Sequence, residues 1–137
     1  MPGYLADRSA LVHLSKPAVA TKMTPLIMSG EVATCGIVEL EVLYSARSAR
    51  DLAEVRAERA MAFPRIPIGE ADFIRAEEVM GELAKTGRHR AVSLPDLLVA
   101  AVAEHAGVVV LHYDADFDIV ASVTGQRMEW VAPKGSL

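Results

Sequence analysis

With Cys35 as its only cysteine, the chain can form no internal disulfide and cannot supply the paired thiolates of a zinc or iron–sulfur site. A small thiol on an apolar segment is expected to be buried packing rather than a nucleophile. Aromatic residues are scarce, at three Tyr, three Phe and one Trp, too few for an extended surface that stacks single-stranded nucleic acid. Trp130 and Tyr44 are therefore read as packing residues. Positive charge is also not in excess: 18 acids face 14 bases, for a net charge of −4. Long-range attraction to nucleic acid is excluded, and any such contact must be local. No apolar run approaches the roughly 20 residues that span a bilayer. The N-terminus has neither a basic lead nor a small-residue cleavage site, so the expectation is a cytoplasmic protein without membrane contact.

What is present is a 52% hydrophobic chain of 137 residues, the size of one ordinary domain spanning 1–137. Short apolar strands are expected near 3–7, 31–34, 108–111 and 128–131. Helices are expected at 9–14, 18–29, 36–46, 49–62, 70–85, 93–107 and 116–123, with Gly30, Gly87 and Gly107 as stops. The punctuation Pro64-Arg65-Ile66-Pro67 separates two helical patterns. Ser93-Leu94-Pro95-Asp96 is a helix start, with a hydroxyl cap, proline in the first turn and an acid three residues after the cap. Alternating helices and strands predict an α/β fold, a three-layer α/β/α sandwich with a short, mostly parallel central sheet.

Acids fall where such a fold can gather them. Asp7 ends one apolar strand, and Asp114 follows another; the carboxyl edge of an open parallel sheet is where ligands bind. Asp7 would also serve as a helix cap, and Asp96 is favoured by the helix dipole. Glu41 shares a helix face with Ile37, Leu40 and Tyr44, a face suited to burial, while Glu39 neighbours Val42 and Leu43; periodicity alone does not separate the two. In His112-Tyr113-Asp114-Ala115-Asp116-Phe117-Asp118 only one or two acids can enter one cleft, and Asp118 is read as the solvated one. A pocket of three or four carboxylates needs protons or a cation to hold it together. Oxygen ligands select Mg²⁺ or Mn²⁺, ions that activate water and neutralise charge on phosphate. Two such ions would also cancel the −4 charge.

Arginine outnumbers lysine ten to four, which suits bidentate phosphate contacts. Arg47, Arg50, Arg56 and Arg59 would form a solvated face, an RNA groove or a partner surface. Arg88-His89-Arg90 precedes the Asp96 helix, near the expected cleft. His13, His105 and His112 are read as structural histidines.

Leu5-Ala6-Asp7-Arg8-Ser9-Ala10-Leu11 resembles the opening motif of PIN-domain ribonucleases of the VapC toxin type. Residues 37–46 with Glu41, 94–101 with Asp96, and 111–117 with Asp114 resemble the second, third and fourth acidic motifs, in order and at suitable spacing. The resemblance implies a Mg²⁺-dependent endoribonuclease that cleaves structured RNA such as tRNA or rRNA. It also implies a homodimer held in check by a VapB-type antitoxin. Asp7, Asp96 and Asp114 would be metal ligands, and Glu41 would complete the catalytic set. Asp116 would assist, and Ser9 would orient a ligand or water. Two positions depart from the family pattern: Arg8 replaces a common hydroxyl residue and offers a phosphate contact instead, as Arg88 and Arg90 would, and His112 stands where Thr is common. Two rival readings are a receiver-like phosphoacceptor, which would need a basic residue such as Lys134 at the last strand, and a metal-free interaction module.

Overall fold

The computed structural model describes residues 2–137. Five strands form one sheet: β1 (Tyr4–Ala6), β2 (Val32–Cys35), β3 (Arg65–Ile66), β4 (Val109–His112) and β5 (Met128–Trp130). Their order is β3-β2-β1-β4-β5, and every paired neighbour is parallel. Seven helices among the described residues complete a three-layer α/β/α arrangement: α1 (Arg8–Leu11), α2 (Pro17–Met28), α3 (Gly36–Leu43), α4 (Ala49–Ala62), α5 (Glu70–Ala84), α6 (Leu94–Ala106) and α7 (Asp116–Thr124). None is long and apolar enough to cross a membrane.

Leu5, Val32, Val110 and Leu111 are sealed in the sheet, as expected for strands covered on both faces. From β1 the chain steps outward to β2 and β3, then returns to the other side of β1 for β4 and β5. The order therefore reverses between β1 and β4, and in open parallel sheets the crevice beyond the carboxyl ends at such a reversal is where ligands bind. Asp7 and Asp114 follow those two strands directly or within two residues.

α6 is the buried helix of the fold. Leu97 through Ala103 are all buried, small residues letting it approach its neighbours closely. Ser93 accepts the Asp96 N–H at 3.3 Å, and Gly107 ends the helix at φ 72°, a left-handed conformation suited to glycine.

Three local expectations are corrected. The Pro64–Pro67 segment contains β3, which pairs Arg65 with Thr34 and Ile66 with Cys35; two residues between prolines carry no periodic signal, and the pairing depends wholly on β2. The first helix ends at Leu11 rather than 14, and α3 ends at Leu43 rather than 46.

Candidate active site

Backbone hydrogen bonds join the loops after β1 and β4. Asp7 N–H donates to the Leu111 carbonyl at 2.9 Å, and Tyr113 N–H donates to Ser9 Oγ at 2.9 Å. Ser9 thus bridges the two strand ends while its own N–H donates to Asp7 Oδ2 at 3.0 Å. That bond caps α1 and leaves the other oxygen, Oδ1, buried without a partner.

Asp96 enters from the first turn of α6. The usual reciprocal cap would turn its carboxylate back onto Ser93 N–H. Instead Ser93 N–H donates to Asp116 Oδ2 at 3.1 Å, so Asp116 takes the capping role and Asp96 is free to face the crevice. Asp116 N–H in turn donates to Asp114 Oδ1 at 2.9 Å. Asp96, Asp114 and Asp116 each present an oxygen within 4.8 Å of the others.

Glu41 approaches from α3, and its Oε1 is a second buried oxygen without a partner. Its pKa is raised, by burial first and then by the charge of Asp7, against the opposing pull of Arg8. Burial likewise raises Asp7, outweighing hydrogen bonds from Ser9 and Arg8, with Asp114 adding repulsion. Asp96 is pushed well above the carboxylate range by burial, then by Asp7, the hydrogen bond with Asp116 and the charge of Asp114. Asp7 is the common electrostatic neighbour of Glu41, Asp96 and Asp114. Such a group cannot all ionise without a compensating cation. Its all-oxygen donor set, with two orphaned buried oxygens, fits a hard divalent ion.

The alternatives at Glu39 and Glu41 separate cleanly. Glu39 is buried against Arg59, whose Nε and Nη2 lie 2.8 and 2.6 Å from its two oxygens, and Thr34 donates a third hydrogen bond. The expected burial of the Leu40 and Tyr44 face is wrong: Leu40 is 67% and Tyr44 93% exposed. α3 presents that stripe to solvent, and Glu41 reaches the crevice from its edge.

Of the four arginines read as one face, Arg59 is spent internally on Glu39. Arg47 and Arg50 pair with Asp51 and Glu54, and Arg56 lines a groove of about 700 Å³ between α3 and α4. Arg8 is exposed beside Asp7, and Arg88 and Arg90 lie in the loop before α6. Lys134 sits 5.9 Å over the Trp130 ring. Asp118 is exposed and accepts Trp130 Nε1–H at 3.1 Å.

His112 is structural, as read from the sequence, and the fold adds a contact to Asp114. It is fully buried between Phe117 and Trp130, and its Nδ1 accepts the Asp114 N–H at 3.1 Å. Its Nε2 has no partner, and burial lowers its pKa. Cys35 is buried with its thiol pushed up to about 11 by desolvation, which excludes a ready nucleophile.

A family model described as PIN domain matches residues 4–123. The chain is 41% identical over 133 residues to Ribonuclease VapC21 of Mycobacterium tuberculosis (strain ATCC 25618 / H37Rv), covering 97% of this chain and 96% of that one. To Ribonuclease VapC51 of the same strain it is 43% identical over 138 residues, covering 98% and 96%. Among solved structures, DNA-bound VapBC from Salmonella typhimurium superposes with a TM-score of 0.76 over 96% of this chain and all of that one. At 19% identity, that likeness concerns the fold. With a full-length match to the VapC ribonucleases and a domain model covering most of its length, the chain belongs to the PIN domain family, in its VapC branch.

Proposed function

We propose that the protein is a Mg²⁺- or Mn²⁺-dependent endoribonuclease, the toxic member of a toxin–antitoxin pair, hydrolysing phosphodiester bonds in structured RNA such as tRNA or rRNA. The observation that carries this reading is the pair of buried, unpartnered oxygens on Asp7 and Glu41 beside the converging oxygens of Asp96, Asp114 and Asp116. Asp7, Asp96 and Asp114 would hold the ion, with Asp116 fixing Asp114 and the start of α6. A bound divalent ion would supply positive charge for the phosphate and lower the pKa of water. Glu41, whose pKa is raised by burial and by the charge of Asp7, would accept the proton of the attacking water. Ser9 holds the Asp7 and Tyr113 loops in register. Arg8, Arg88 and Arg90 would meet phosphates and offset the acidity of the pocket.

The partner on this reading is a VapB-type antitoxin, and a second copy of the chain would complete a homodimer. Exposed Phe73 and Leu94, lining an apolar hollow of about 340 Å³, support a surface that another chain covers. Lys134, the basic residue that the receiver-like alternative would need, lies over the Trp130 ring, 5.9 Å from its centre.

The test is cleavage of total cellular RNA by purified protein with Mg²⁺ or Mn²⁺ and with chelator, mapping the cut sites. Asp7→Asn and Asp96→Asn are expected to abolish metal-dependent cleavage while keeping the fold by circular dichroism. Equal cleavage by both variants and wild type would assign the activity to a contaminant and sink the reading.

A further inference from the structure

A second cleft adjoins the acidic centre. It is lined by Arg8, Leu40, Glu41, Tyr44 and Ser45 and holds about 370 Å³, at the small end of the range for ligand pockets. Glu41 belongs to both spaces: it lines the cleft, and its buried Oε1 and the nearby charge of Asp7 tie it to the acids.

The other walls are unusual for a surface that binds nothing. Tyr44 is 93% exposed at the end of α3. The other two tyrosines are partly buried, Tyr4 in the sheet and Tyr113 against His13 and Trp130. Leu40, one helical turn before Tyr44, is also exposed. Arg8 follows Asp7 directly, is exposed, and enters no ion pair among those of the described residues. A guanidinium in no ion pair among the described residues and an exposed tyrosine, both lining one cleft, match the two halves of a nucleotide: phosphate to the cation, base to the ring.

Building on the ribonuclease reading above, we infer that this cleft is a nucleotide subsite next to the cleaved bond, with Tyr44 stacking an unpaired base and Arg8 contacting its phosphate. The phosphate would lie one residue from Asp7, so the neighbouring linkage reaches the acidic centre. A base inside a duplex has both faces covered and cannot stack on Tyr44, so the subsite selects an unpaired flanking nucleotide. Arg8 also supplies the local positive charge that a −4 chain otherwise lacks for RNA.

The experiment uses the full chain in Mn²⁺ with a single-stranded oligoribonucleotide whose cut site has first been mapped, carrying 2-aminopurine at each flanking position in turn. Tyr44→Ala is expected to raise KM about tenfold with little change in kcat, and Tyr44→Phe and Tyr44→Trp to restore it. In one flanking position the fluorescence of 2-aminopurine should be quenched by wild type and recovered in Tyr44→Ala. Arg8→Gln should raise KM and reduce the slope of log KM against log salt by about one. Unchanged KM and fluorescence in Tyr44→Ala, with wild-type cleavage intact, would overturn the subsite alone. Loss of binding to a protein partner, with RNA kinetics unchanged, would assign the cleft to that partner instead. Wild type that binds Mn²⁺ in calorimetry yet leaves every RNA intact would overturn the ribonuclease reading, and the subsite with it.

Discussion

Glu39 and Arg59, twenty residues apart on successive helices, close on each other in a bidentate ion pair, with both side chains almost wholly shielded from solvent. Thr34 of β2 donates to the same carboxylate, and the Arg59 guanidinium lies 4.6 Å from the centre of the Phe63 ring. The pair ties α4 to α3, and α3 carries Glu41.

Removing one partner would strand the other in a poorly solvated site. Arg59→Ala is expected to lower stability by about 3 kcal/mol, measured by urea denaturation. The double variant Glu39→Leu with Arg59→Met should recover most of that loss, because two apolar chains leave no unpaired charge. Additive losses in the double variant would contradict this account.

Glu41 predicts the opposite pattern. Its raised pKa marks a carboxylate poorly accommodated when charged, so Glu41→Gln should keep or slightly raise the melting temperature. Metal-dependent RNA cleavage should fall by about a hundredfold or more. A variant that melts early and cuts normally would reverse the assignments of Glu39 and Glu41.

Acidity should act in two windows. Asp7, Asp96 and Glu41 hold protons more tightly folded than unfolded, where ordinary values are 3.8 and 4.5. The metal-free native state therefore loses stability as pH rises from those values through the folded ones, that of Asp96 lying at about 9. Glu39 behaves inversely: burial alone would raise it, but hydrogen bonds from Arg59 and Thr34 and the Arg59 charge bring it below 4.5. Its contribution is present above that value and disappears as pH falls through the folded pKa. Metal-free melting temperature should accordingly peak in mild acid. Added Mn²⁺, which displaces the protons, should stabilise more at pH 8 than at pH 5.5, and equal shifts at both would argue against carboxylate ligation.

His112 should act through Asp114. His112→Phe keeps a ring between Phe117 and Trp130 but removes the acceptor of the Asp114 N–H. Mn²⁺ affinity by calorimetry is expected to fall about tenfold, with His112→Asn, which restores an acceptor near the Nδ1 position, recovering it. Identical affinities for the Phe and Asn variants would make His112 a packing residue only.

Much of the fold was legible because its signals are local. Apolar runs marked β1, β4 and β5; Ser93, Pro95 and Gly107 bounded α6; and the acids at strand ends followed from parallel-sheet geometry. β3 was invisible, since a two-residue strand between prolines is defined by its neighbour. The Leu40 and Tyr44 stripe was misread because helical periodicity identifies a face without saying what lies opposite it.

The order and spacing of Asp7, Glu41, Asp96 and Asp114, the alternation of helices and strands, and the family likeness all reside in the linear chain. Only the three-dimensional arrangement could assign Glu39 to Arg59, turn Asp116 into the cap that frees Asp96, and leave Asp7 Oδ1 and Glu41 Oε1 buried without partners. Caps and periodicity depend on residues a few positions apart, whereas the partner of a carboxylate is set by helices and loops from distant parts of the sequence meeting at the reversal between β1 and β4.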